Sequence, residues 1–452
     1  MISIRTKSNL MALFAMPLLL VLGAPTASAQ ETMDLKAILQ QAVEHNTNVR
    51  KAAMDQDAAR YKVAETRADG LPQITAQADL SYFPSIATQL LPGEIIGQPG
   101  TQVPVQFGTK YNATVGGKVT QMLYDQRFLT GMQAAKGAAE LYELLHLQTE
   151  EQVVYEVATA YYQIMDLEAQ QASVDSQLVT MTELERITQL QVENQFKRKL
   201  DLQRVQVNRQ NAVTQRDGLA LGAEQQVNYL KVLMGMPVSA ELVLAQPANM
   251  GVGKPQPAGG SLSAGRTDIK VLEQQITLQD LNIRATRAGY VPTLSAFGSL
   301  NYQAQRNEFN FFNSDQDWFQ SATIGGTLAI PIFDGLRKYN KVAQQKVAQL
   351  QYQADLEHTG NALAMEERNA IAALDNSWST VEAQASNLVL AQNVYSQTNS
   401  LYEEGISPLT DLLNADQALS DSRTAYHSAT LKYKLAELDL LKAQGGLKTL
   451  IQ

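Results

Sequence analysis

From Gln73 to Tyr82 polar and apolar residues alternate without a break. Ile74, Ala76, Ala78, Leu80 and Tyr82 fall on one side, and Gln73, Thr75, Gln77, Asp79 and Ser81 on the other. A period of two is that of a β-strand, so this segment predicts a strand with one oily and one wet face. Tyr111–Gln121, Thr293–Tyr302 and Ser321–Ile332 repeat the pattern with slips. About ten residues is the length of a tilted transmembrane strand. Half-buried strands of a soluble sheet would alternate in the same way.

After each second strand the period changes to that of a helix. Asp125 to Val192 and Asp334 to Tyr402 are rich in Ala, Gln, Leu and Glu and contain no proline. Sixty-eight helical residues at 1.5 Å each would reach roughly 100 Å, far beyond one globular domain. Each stretch is expected to turn once and return through Leu200–Met234 and Leu409–Gln444. Leu141, Leu144, Leu145, Val154, Val157, Ala158, Tyr161 and Met165 keep an apolar stripe, so the helices should pack lengthwise as coiled coils. Pro72 and Pro292 are expected to end the helices that carry Arg67 and Arg287, where a cation suits the helix dipole. Pro331 stands near the exit of the fourth strand, where the first copy has Met122.

The chain is written twice. ETRADGLPQITAQADLSY at 65–82 matches ATRAGYVPTLSAFGSLNY at 285–302, which pairs Arg67 with Arg287, Pro72 with Pro292 and Tyr82 with Tyr302 at an offset of 220. Upstream at the same offset, residues 46–50 match 266–270. Ala113-Thr114-Val115-Gly116-Gly117 matches Ala322-Thr323-Ile324-Gly325-Gly326 at an offset of 209, so the intervening loop is 11 residues longer in the first copy. Leu200-Asp201-Leu202 faces Thr410-Asp411-Leu412 at an offset of 210. One unit was duplicated. The first repeat is assigned to 30–245 and the second to 263–452, each a helix, two strands and a long helical hairpin, with a Pro/Gly-rich linker at 246–262.

Residues 1–29 read as a secretory signal: Arg5 and Lys7, an apolar run from Leu10 to Gly23, and Ala27-Ser28-Ala29 before Gln30. Cleavage removes two bases and no acid, which takes the net charge from −9 to −11. An acidic exported chain does not suit nucleic acid. With no cysteine the chain has neither disulfides, nor thiolate metal ligands, nor an N-terminal lipid anchor. No uncharged apolar stretch beyond the signal reaches the ~20 residues of a membrane helix, and Val232–Leu244 is interrupted by Pro237 and Glu241. A membrane-spanning form must therefore be a closed β-barrel.

His45, His146, His358 and His427 are scattered over different helices with no His partner at i+4, so no metal site is assigned. There is no phosphate loop, no G-x-S-x-G and no H-E-x-x-H, and the chain is read as neither an enzyme nor a cofactor protein. Phe309, Phe311, Phe312, Trp318 and Phe319 suit either an aromatic girdle and external loop or packing within that loop.

The duplicated order resembles the TolC family of outer-membrane efflux and secretion channels over nearly the whole mature chain. The resemblance is carried by Arg-Ala-x-x-x-Pro before the first strand of each copy and by Phe333-Asp334-Gly335. Tyr402-Glu403-Glu404-Gly405 and Asp411-Leu412-Leu413-Asn414-Ala415 complete it. It implies a mainly α fold with a transmembrane β portion, in which a homotrimer joins four strands per chain into a twelve-stranded barrel continued by an α-helical tunnel. It also implies an outer-membrane location with a large periplasmic part. The expected role is the passive exit duct of a tripartite efflux pump or type I secretion system, with a periplasmic adaptor and an inner-membrane pump as partners. A periplasmic coiled-coil scaffold or adaptor without a pore is the competing reading.

By the same resemblance the hairpin tips fall at Asn194–Leu200 and Glu404–Thr410. Asp201, Tyr402 and Asp411 match positions that hold the periplasmic entrance shut, and three-fold symmetry would gather six carboxylates there. Leu200, Ser407 and Asn414 stand where the family has a threonine, an arginine and a second aspartate, so the closure network must differ. The adaptor-docking tips are assigned to Gln195, Phe196 and Lys197 in the first copy and to Gly405 and Ile406 in the second.

Overall fold

The computed structural model describes residues 32–97, 99–245, 253 and 265–451. The signal segment and nearly all of the linker lie outside them. Helices α1 (Leu35–His45) and α2 (Thr47–Ala68) lead into strand β1 (Gln73–Tyr82). A short hairpin follows, β2 (Thr88–Pro92) and β3 (Gln102–Gln106), and then β4 (Tyr111–Tyr124). Helices α3 (Gln126–Glu193) and α4 (Lys199–Leu233) complete the first half. The second half runs α5 (Thr267–Ala288), β5 (Thr293–Arg306), β6 (Phe319–Ala329), α6 (Arg337–Glu403) and α7 (Leu409–Ala443). The halves agree closely in length: α2 and α5 have 22 residues each, α3 has 68 against 67 in α6, and α4 and α7 have 35 each.

Several boundaries differ from the sequence reading, and β5 runs on to Arg306, past the expected Tyr302. Helices α2 and α5 stop at Ala68 and Ala288, four residues before Pro72 and Pro292. Tight turns intervene, with Gly70 and Leu71 amides bonded to the Arg67 and Ala68 carbonyls. Proline disfavours helical backbone in the residue ahead of it, so the helix must end earlier than the proline itself. Strand β6 spans Phe319–Ala329 rather than Ser321–Ile332, because Pro331 offers no N–H to extend the ladder. Strand β4 continues to Tyr124, past the expected Gln121, through an irregularity between Met122 and Tyr124.

The four long strands form one antiparallel sheet in the order β1-β4-β5-β6. Its register joins like with like. Ile74 lies opposite Val119, Val119 opposite Gly298, and Gly298 opposite Ile324. Two residues along, Ala76, Gly117, Leu300 and Ala322 form the next row of the same face. The opposite face carries Thr75, Lys118, Ser299 and Thr323 in one row and Gln77, Gly116, Asn301 and Ser321 in another. The alternation thus extends from single strands to a whole sheet with one oily and one polar side. Along these two rows the oily side lies open, with Ile324 93% exposed, while farther along the same face Ala113 and Ala304 are covered by Phe311. Gly116 on the polar side is required by packing, since a Cβ there would come within 2.0 Å of the Asn301 side chain and 2.7 Å of the Leu300 carbonyl.

The main core sits about midway along α3, at the level where the short elements gather. Val153, Val154, Val157, Ala158 and Ile164 of α3 pack with Ile38 and Leu39 of α1, Leu230 of α4 and Met234 just after it, and Leu438 of α7. Asn46 pins this level. Its side-chain oxygen accepts from Asn48 N–H at 2.7 Å to cap α2, and its amide donates to the Leu233 carbonyl at 2.7 Å. Gly235 follows at φ +68, so close to the His45 carbonyl that a Cβ would lie 2.3 Å from it. The start of α5 is braced by the buried Arg266, which pairs with Asp268 at 2.6 Å and Glu366 of α6 at 2.9 Å.

In the loop after β5 and at the start of β6 the aromatic residues differ in burial. Phe311 is buried, with Arg306 over its ring at 5.2 Å and Trp318 at 6.1 Å, whereas Phe312 and Phe319 are exposed. Among the described residues no helix is long and apolar enough to cross a membrane.

Candidate functional site at the helical tips

Two helix turns lie at the end of the molecule remote from the sheet, between α3 and α4 and between α6 and α7. They share one backbone design. In the first, Gln195 adopts φ +65, its N–H bonds to the Val192 carbonyl, and Phe196 N–H bonds to the Gln191 carbonyl at 2.8 Å. In the second, Gly405 adopts φ +76, its N–H bonds to the Tyr402 carbonyl, and Ile406 N–H bonds to the Leu401 carbonyl at 2.9 Å. Both are helix ends closed by a left-handed residue. Glycine takes that conformation freely, while glutamine is strained in it.

The side chains these turns present are alike at one position and different at the next. Phe196 is 80% exposed and its counterpart Ile406 is 68% exposed, so both tips offer a bare apolar side chain at the same position. Lys197 turns inward and is half-buried, with its ammonium 4.8 Å from the centre of the Tyr402 ring. Its counterpart Ser407 instead donates a long hydrogen bond of 3.4 Å to Asp411.

Within the chain the residues matched to the entrance lie in different surroundings. Tyr402, in the last turn of α6, is buried with Val205 of α4 and Leu409 and Leu412 of α7. Asp201 is buried in the first turn of α4, where a carboxylate suits the positive helix end, and Arg198 and Arg204 lie 3.6 and 4.0 Å from it. Asp411, its counterpart in α7, is exposed. The two carboxylates therefore share a place in the repeats but not an environment.

The Tyr402 and Thr188 hydroxyls face each other, and both, like the Gln191 side-chain oxygen, are buried without a hydrogen bond of ordinary geometry. Burial pushes the Tyr402 hydroxyl above its ordinary pKa; the Thr188 side chain offsets this in part and the Asp201 charge adds to it. Beside these atoms lies a cleft of about 440 Å³ between α3, α6 and α7, lined by Leu184, Ile187, Gln191, Tyr395, Tyr402 and Asp416.

Above the tips α3 and α7 are joined by a polar belt that the sequence reading did not single out. Gln177 donates to the buried Asp416, and Ser420 donates to Gln177 at 3.3 Å. Ser173 meets His427 at 3.0 Å. Burial raises the pKa of Asp416, against the opposing pull of Gln177 and Arg423. Burial, reinforced by Arg423, lowers that of His427. A signal was present: Asp416 interrupts the apolar stripe Leu409, Leu412, Leu419 at helical spacing. Among the described residues no group of three or more His, Cys, Asp or Glu is arranged to hold a metal ion.

The comparisons agree with this architecture. The outer membrane efflux protein family matches residues 38–236 and 260–446, one segment in each half of the chain. Outer membrane protein TolC of Escherichia coli strain K12 is 23% identical over 444 residues, covering 93% of this chain and 84% of the relative. The toluene efflux pump outer membrane protein TtgC of Pseudomonas putida is 23% identical over 418 residues, covering 91% and 83%. Among solved structures, the CusC channel superposes with a TM-score of 0.74 at 19% identity, covering 91% of this chain and 92% of that one. The open state of the Neisseria gonorrhoeae MtrE outer membrane channel gives 0.73 at 21% identity, covering 92% and 90%. With both halves matched, and with a sheet and paired long helices of the same fold as these channels, the chain belongs to the outer membrane efflux protein family.

Proposed function

We propose that this outer-membrane channel protein is one of three identical subunits of a passive exit duct. The duct carries molecules from the periplasm or from an inner-membrane pump to the exterior, with a periplasmic adaptor between pump and duct. The observation that carries this reading is the sheet. Strands β1 and β6 are its two edges, and one face is oily from edge to edge. Open edges are not tolerated in lipid, and outer-membrane barrels start at about eight strands, so four strands require further copies. Three copies give twelve strands with the polar rows lining the lumen. Helix α3, 68 residues long, then extends the wall by roughly 100 Å. The scaffold reading without a pore leaves the oily face and both edges unexplained.

In this reading the two repeats divide at the 246–262 linker, Asp201, Tyr402 and Asp411 lie at the periplasmic entrance, and the tips receive the adaptor. Phe196 and Ile406, bare at equivalent positions with Gln195, Lys197 and Gly405 beside them, suit apolar pockets on such a partner. The role assigned to the chain is passage, with no catalytic step. The test is fractionation followed by electrical recording. Purified protein should come from the outer-membrane fraction and give discrete conductance steps in planar bilayers, whereas a non-conducting product would overturn the duct.

A further inference from the structure

We propose that Lys197 is the latch of the periplasmic entrance, holding the first repeat's tip onto the second repeat by capping the face of the Tyr402 ring. The proposal rests on reading the tips as the entrance of the duct. Four observations carry it. Lys197 is half-buried at the very tip of a hairpin, where a lysine would otherwise extend into water, and its ammonium stands 4.8 Å from the ring centre, within reach of a cation–π contact. The Tyr402 hydroxyl, which faces Thr188 of α3, forms no bond to Asp201 or to the tip residues, so the first tip meets this side chain at the ring face. Asp201, the acid matched to the closed entrance, has Arg198 and Arg204 as its charged partners. Finally, the equivalent position in the second repeat is Ser407, which bonds within its own tip to Asp411.

The contact is placed where it can control motion. Lys197 belongs to the turn between α3 and α4, and Tyr402 to the last turn of α6, so the pair spans the two helical hairpins. Beneath it the apolar group of Val205, Tyr402, Leu409 and Leu412 packs α4 against α6 and α7. Lys197 lies over the end of that group. Moving one hairpin away from the other must withdraw the ammonium from the ring, so the contact opposes opening. A positively charged side chain in this position favours the closed arrangement through the ring face, which phenylalanine would provide as well as tyrosine. Lys197 is thus a positioning residue of the gate, supplied by the first repeat alone.

The test uses the full-length protein, whose lack of cysteine allows labels to be placed at will. Spin labels at Phe196→Cys and Ile406→Cys report the separation of the two tips, and single-channel recording reports resting conductance. Lys197→Met, which keeps the stem and removes the charge, should lengthen or broaden the tip separation and raise the resting conductance. The ratio of closed to open tips should fall about two- to fivefold, the range for a partly exposed cation–π pair. Tyr402→Leu should act in the same direction, and adding Lys197→Met to it should change nothing further. Lys197→Arg and Tyr402→Phe should match the parent in both measurements. If Lys197→Met leaves the tips and the conductance of a conducting parent unchanged, or if Tyr402→Phe opens the tips as far as Tyr402→Leu, the latch is refuted. If the tips separate in Lys197→Met while the parent itself does not conduct, the latch stands and the duct reading fails.

Discussion

The facing of the sheet can be tested at two adjacent residues. Ala78 is the sixth residue of β1 and lies in a row with Val115 and Tyr302, on the oily side. Five residues from Gln73 at about 3.4 Å each is about 17 Å along the strand; tilted by about 40°, it rises about 13 Å, half of an apolar band about 25 Å tall. Ala78 is therefore at the midplane, where an arginine on the lipid face costs about 2–4 kcal/mol. Gln77, one residue earlier, points to the polar side and donates to Asp79 at 2.8 Å. An arginine there would meet the same carboxylate in water, an exchange worth at most about 1 kcal/mol in either direction. The assay is urea unfolding of the two variants and the parent in lipid vesicles, followed by tryptophan fluorescence. Ala78→Arg should lower the midpoint sharply while Gln77→Arg stays near the parent. Equal loss at both positions, or greater loss at Gln77, would refute the assignment of faces.

Three further outcomes follow from the helical part. Asp411 is the exposed carboxylate of the tip pair, whereas Asp201 lies beneath two arginines, so Asp411→Asn should reduce cation selectivity more than Asp201→Asn does, as read from reversal potentials in a salt gradient. Gln195→Gly relieves a left-handed glutamine and should stabilise the first tip by about 1 kcal/mol, measured as slower hydrogen exchange of the Val192–Lys197 amides; unchanged exchange would contradict the strain. Burial raises the pKa of Asp416, so its contribution to stability is lost as pH rises from the ordinary carboxylate value through the raised folded one. Asp416→Asn should therefore raise the melting temperature at neutral pH and flatten its decline from acid to neutral. His427, lowered by burial, acts with the opposite sign by losing stability as pH falls below its ordinary value, so the comparison belongs in a His427→Gln background.

What could be read from the sequence was what repeats with a period. Strand β1 was placed to the residue because each of its ten positions alternates, and the long helices to within about three residues because no proline or cluster of polar turn residues interrupts them. The hairpin β2–β3 was not foreseen. Its strands have five residues each, one ending on Pro92 and the other centred on Pro104, and proline argues against a strand unless the strand is an edge. The pair survives as an isolated two-stranded ribbon within the loop that is 11 residues longer in the first repeat, where each proline can face away from its partner's ladder.

The tips show why duplication reveals the backbone and conceals the chemistry. Gln195 and Gly405 have the same left-handed turn and the same pair of closing hydrogen bonds, because helix ends of this kind are set by local geometry that the two copies inherited together. Some of the side-chain partners come instead from the other copy, about 200 positions away or more. Tyr402 is covered by Lys197 and packed on Val205, and Asp416 is bonded by Gln177. No periodicity encodes such pairs, and matching a residue to its counterpart points to the wrong neighbour once the copies have diverged. Lys197 faces Ser407 in the alignment of the repeats, yet one reaches across to the second hairpin and the other bonds within its own turn. In a three-fold ring this places two kinds of tip in alternation, one cross-linked to its neighbour hairpin and one self-contained. Opening should therefore require loss of the contact between Lys197 and Tyr402, with no matching contact to break at Ser407.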